Sequence, residues 1–108
     1  MDVKDEQSIV GYKLFRLRKD GTLGPLFINR KQVIQAGEWL EAQLFPTPGF
    51  AVRFGWHACA QMSAPHLSKK GRVWCRVKLY DITANHRTGS QGGLLYTARY
   101  LKVTDIYF

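Results

Sequence analysis

The sequence predicts an α+β domain, a mostly antiparallel sheet of five or six strands with about one helix. Three observations carry this expectation. Residues 71–82, GRVWCRVKLYDI, alternate apolar and polar side chains strictly, which is the period of a half-buried strand. Asp20-Gly21 lies between two apolar runs, a strong short-range hairpin signal. Only one stretch, residues 29–45, is long enough and regular enough for a helix.

In chain order, residues 1–10 read as a flexible acidic tail without apolar periodicity, and residues 11–108 as a single globular domain. Residues 12–18 form the first arm of a hairpin and residues 23–28 the second. Pro25 cannot donate to a ladder, so the second arm belongs at a sheet edge or a bulge. Val33, Ile34, Leu40 and Leu44 fall at helical spacing and predict a helix over 30–36 or 37–45. Gly37 interrupts it at a cost of about 1 kcal/mol relative to alanine. The PTPG run at 46–49 ends it. Residues 50–60 have strand composition broken by Gly55, and 61–71 read as a loop. Residues 72–80 predict a central strand with Val73, Cys75 and Val77 buried. Residues 83–93 are a glycine-rich loop, and 94–108 make the last one or two strands.

Hydrophobic residues at 45% and charged residues at 22% of 108 are ordinary for a globular protein. No apolar run approaches the length of a membrane-spanning helix. The polar, acidic start differs from the basic start and apolar centre of a signal peptide, so a cytosolic protein is expected. Two cysteines, Cys59 and Cys75, make no disulfide framework, and both are expected to be reduced. The net charge of +8 is uneven. Asp2, Asp5 and Glu6 face Lys4 alone at the start, whereas the rest of the chain holds fifteen cations against five acids. Such a field attracts polyanions.

Residues 55–72 concentrate chemistry-bearing side chains. His57, Cys59, His66 and Cys75 could ligate zinc, but their spacing resembles no common finger or ribbon, and Cys75 falls on the apolar face of its strand. No metal and no cofactor are therefore expected. His66-Leu67-Ser68 has the His-x-Ser form of two-histidine phosphoesterases, but the candidate second motif at 57–59 lacks the hydroxyl. His57 and His66 are expected near one another at one end of the sheet, beside the basic cluster. The reading that uses most of these residues is binding. Lys69, Lys70, Arg72, Arg76 and Lys78 supply cations, and Trp74 and Tyr80 supply rings on the outer face of the strand. The competing reading has Trp74 and Tyr80 covering a second core under the 30–45 helix, with the cations reaching past them to water.

The strings LFINRK, GEWLEA, GFAVRFGWHACA and APHLSKKGRVW resemble a family of small uncharacterised bacteriophage and prophage proteins, over roughly residues 12–80. The resemblance implies a phage-encoded accessory or inhibitor protein in the cytoplasm of a bacterial host. Its partner would be nucleic acid or a host nucleoprotein complex. The order of segments is also similar to the core of ADP-ribosyltransferases, which implies an enzymatic alternative with Arg16, His57 and Gln91 in the site. No glutamate occupies the late position that this second likeness requires. The leading expectation is thus a binding protein for an anionic partner.

Overall fold

A computed structural model describes residues 3–25, 32–42, 55–62, 70–88 and 93–108, with the backbone alone at 84–88. The sheet is mostly antiparallel and has six strands, with one short helix, as the α+β reading requires. Helix α1 spans Val3–Gln7, and the strands are β1 Ile9–Leu17, β2 Leu23–Gly24, β3 Leu40–Glu41, β4 Trp56–Cys59, β5 Arg72–Thr88 and β6 Gly93–Tyr107. The segment read as a loose tail therefore carries α1 and the first two residues of β1.

Strands β1 and β2 form the hairpin that Asp20-Gly21 announced. The turn is one residue longer than a two-residue loop: Gly21 N donates to Arg18 O, Arg18 N donates to Thr22 O, and Gly21 takes φ 87°. Asp20 Oδ1 accepts from Thr22 N and Thr22 Oγ1 and closes it. Strand β2 ends one path of the sheet and is followed at once by Pro25, consistent with the edge position required of a residue that cannot donate. Residues 26–28 of the expected second arm lie outside the described residues.

The helix predicted over 30–36 or 37–45 is not formed at the described residues 32–42. Ile34 N donates to Leu23 O instead, so that Ile34 extends the β2 edge as an isolated bridge. Ile34 is 3% exposed and its neighbour Val33 44%, the signature of extended rather than helical chain. Gly37 adopts φ 85°, which breaks a helix, and its N–H donates to Val103 O. The chain then runs along β6 as β3, with Leu40 opposite Leu101 and Glu41 opposite Tyr100. Trp56 Nε1 on β4 donates to Leu40 O and fixes this edge from the other side.

Strands β5 and β6 form one long antiparallel hairpin. Strand β5 runs to Thr88, beyond the expected end at 82, and Thr88 pairs with Gly93. The polar residues 83–88 stay in the ladder because a hairpin arm needs only a backbone partner, not an apolar face. Register shifts after Arg76 and after Ile82, with Asp81 at φ 60°, bend the long arms. β1 pairs with β5, β5 with β6, β6 with β4, and β4 back with β1. The four strands thus form a closed ring. Among the described residues the closing step is a single pair, Tyr12 with Cys59. A Cβ on Gly11 would stand 3.0 Å from Leu79 Cδ1 and 3.3 Å from Cys59 O, so the ring closes where the side chain is missing.

Inside the ring lie Phe15, Ala58, Val73, Cys75, Val77, Leu79, Ala98, Leu101 and Val103. Each large side chain removed from water there contributes roughly 1.5–3 kcal/mol. The inward face expected of residues 73–79 is correct, and Val77 and Cys75 are fully buried. No helix among the described residues is long and apolar enough to cross a membrane.

Candidate functional site

The outward face of β5 carries Arg72, Trp74, Arg76, Lys78 and Tyr80, and the structure divides it in two. At the Trp74 end, the cross-strand partners are Leu14 of β1 and Tyr107 of β6, and Tyr12 and Cys59 pack on the same cluster as Leu14. Trp74 is 8% exposed, so it does not offer its ring to solvent as a stacking platform. Its expected role as a contact residue is corrected: an apolar neighbour on β1 makes this part of the outer face a second small core. The covering helix imagined for such a core is absent at the described residues. Arg72 is half-buried opposite Arg16, Lys70 and Arg76 are exposed, and Lys69 lies outside the described residues.

At the Tyr80 end the register brings β6 into play. Lys78 pairs with Lys102 and Tyr80 with Tyr100, so two lysines and two tyrosines occupy neighbouring rungs of one face. The Tyr80 and Tyr100 rings lie 5.8 Å apart, and Trp39 meets Tyr80 edge-on at 6.4 Å. Cations surround this group. Lys102 Nζ is 5.1 Å from the Trp39 ring and Arg99 Cζ 5.5 Å from Tyr100. Lys4 Nζ from α1 stands 5.1 Å from Tyr100 and 5.9 Å from Tyr80.

Asp5 joins the lysine rung. Its Oδ1 accepts from Lys102 Nζ and, at 3.4 Å, from Lys78 Nζ. The Lys102 hydrogen bond is the main reason its carboxyl titrates below the usual value of 3.8; partial burial opposes this, and Lys78 lowers it further. Arg99 titrates above its ordinary value because of the Tyr100 phenol beside it and its 3.4 Å contact with Glu41. Two indole donors, Trp39 Nε1 and Trp74 Nε1, are buried with no hydrogen-bond partner among the described residues.

A lysine of a different kind lies across the sheet. Lys13 stands opposite Cys75 on the inner face, and its ammonium donates to His57 O at 2.6 Å, 5.8 Å from the Phe15 ring. Burial lowers its pKa from 10.5 to about 8, with the nearby Cys59 thiol acting in the opposite direction. Burial raises Cys59 as well, and pushes Cys75 up to about 12. Both cysteines are free.

Of the other sequence candidates, Arg16 and His57 are the two among the described residues. Arg16 pairs with Gly24 and Arg72, and His57 pairs with Thr97, so neither faces the other across a ladder. Gln91, His66 and Ser68 lie outside the described residues, as does the expected meeting of His57 with His66. No group of three or more metal-ligating side chains comes together among the described residues. Trp39, Tyr100 and Lys102 were missed by sequence reasoning. The alternation Tyr100-Leu101-Lys102 mirrors Lys78-Leu79-Tyr80, but only the strand register makes the two sets meet. Comparison with protein-family models, curated proteins and solved structures found no match to this chain.

Proposed function

We propose that this protein binds single-stranded nucleic acid on the outer face of the β5–β6 hairpin. One observation carries the reading: the Lys78–Lys102 and Tyr80–Tyr100 rungs place paired cations beside paired rings. Cations neutralise phosphates and release counterions, while rings accept unpaired bases without regard to sequence. The surplus of positive charge beyond residue 6 supports the same partner by steering it from a distance. Arg76, exposed on the same strand, extends the cationic track. The proposed contact residues thus move from the Trp74 end of β5 to its Tyr80 end and across to β6.

The test is anisotropy of a labelled oligodeoxythymidine titrated with protein at several salt concentrations. Contacts from four or five cations give a log–log salt slope of about −3 to −3.5 on a single strand. The pair Lys78→Ala and Lys102→Ala reduces that slope by about 1.4, with a cooperative melt shifted only slightly by loss of the Asp5 ion pairs. A salt-independent affinity, or a slope that the double change leaves alone, would refute the reading.

A further inference from the structure

Helix α1 sits on the two rungs that the proposed function uses, and it does so with complementary chemistry. Asp5 sets one carboxylate between Lys78 and Lys102. Lys4, one residue earlier, lies over Tyr80 and Tyr100. One helical turn therefore gives an anion to the lysine rung and a cation to the ring rung. The rungs are two residues apart, about 7 Å along the strand. Over that span the phosphate and the base of one nucleotide can occupy both together.

The hold of α1 on this face is of the reversible kind. The helix has five residues and buries none of them fully. A helix so short does not persist in water without tertiary support. Asp5 and Lys4 provide that support through ion pairs and cation–ring contacts, which salt and competing polyanions weaken. Ser8 Oγ donates to Asp5 O and ends the turn where β1 begins, so an undocked α1 stays tethered next to its site.

We propose that Lys78, Lys102, Tyr80 and Tyr100, with Trp39 at their edge, form a subsite for one nucleotide of a single strand, and that α1 is its built-in competitor, with Asp5 in the phosphate position. The proposal rests on the nucleic-acid reading above. Binding then requires α1 to leave, and the apparent affinity is the intrinsic affinity reduced by the undocked fraction.

The test compares full-length wild type, Asp5→Asn and Glu6→Gln for binding of a labelled oligodeoxythymidine at one low salt concentration. Each change removes one negative charge from α1, but exposed Glu6 holds no ion pair among the described residues. Asp5→Asn tightens binding by about five- to tenfold, and Glu6→Gln by less than about twofold. Equal effects, or no effect of Asp5→Asn on a wild type that binds, overturn the competitor and leave the nucleic-acid reading standing. Failure of all three folded proteins to bind overturns both. Inorganic polyphosphate as a competitor probes the base half of the subsite; displacement as effective per charge as that by the oligonucleotide overturns it. Amide exchange of Glu6 and Gln7, the α1 residues whose N–H groups can reach an intrahelical carbonyl, gives a readout that needs no variant. It speeds up in the saturated complex if α1 undocks, and unchanged protection of those amides overturns the proposal.

Discussion

The two ends of one strand face teach different lessons about the same pattern. Arg72-Val73-Trp74 and Lys78-Leu79-Tyr80 both read cation, apolar residue, aromatic ring, and both rings point away from the ring's interior. Trp74 lies between Leu14 of β1 and Tyr107 of β6 and is 8% exposed. Tyr80 meets Tyr100 and stays half-exposed among lysines. Both rings have a tyrosine partner on β6, and what differs is β1, which gives Trp74 a second, apolar partner and begins at Ile9 opposite Leu79, short of Tyr80. A second flanking strand decides whether an outward aromatic becomes core or surface.

The sharpest way to break this comparison is to remove each ring. Trp74→Ala costs about 3–5 kcal/mol, as expected of a buried tryptophan, whereas Tyr80→Ala costs about 1 kcal/mol. Urea unfolding of both variants measures the contrast, and equal losses would make the whole outer face one core.

A smaller effect separates lysines inside the barrel from those outside. Lys13 has no counter-ion among the described residues, and its folded pKa of about 8 lies below the ordinary 10.5. The penalty of holding its charge is therefore present in full below pH 8 and fades as pH rises from 8 to 10.5. Lys13→Met should stabilise the protein at pH 7 by about 1–3 kcal/mol, with the bond to His57 O lost in exchange. The gain shrinks towards pH 10.5, and melting curves across that range show whether it does.

The smallest effect belongs to Asp5. Its folded pKa is lowered, so its contribution is complete above the ordinary value of 3.8 and disappears as pH falls through the folded value. Wild type should melt slightly above Asp5→Asn at neutral pH, and the two should converge in strong acid. A difference that persists there would mean that Asp5 acts through something other than its charge.

The strict alternation of residues 72–80 made the inner face of β5 readable, because a period of two leaves Val73, Cys75, Val77 and Leu79 no other side. The β1–β2 turn was readable from Asp20-Gly21 for the same local reason. Residues 32–42 were not. Their apolar spacing suits a helix, and what overrides it is the β6 edge, whose carbonyls at Val103 and Arg99 accept from Gly37 and Ala42. The Tyr80–Tyr100 rung was hidden because the residues are twenty positions apart and the register that joins them includes two bulges. α1 was hidden more deeply still: one valine and four polar residues have no periodicity to detect, and the helix owes its place to lysines from β5 and β6.

The one-pair closure between β1 and β4 sets the order in which the molecule comes apart. Among the described residues every other junction of the ring is a longer ladder, so the Tyr12–Cys59 seam carries the least backbone pairing of the four. Local opening concentrates where few bonds must break together. The cylinder should therefore open first at this seam, before the β5–β6 arms separate. In the other direction, the hairpin has the short chain connection and zips early, while β1 must find β5 across more than fifty residues of intervening chain. Rolling up should then be the last event of folding and the first to be undone. Because Trp74 packs with Tyr12 and Cys59 beside that seam, its indole is a native fluorescent reporter of whether the cylinder is shut.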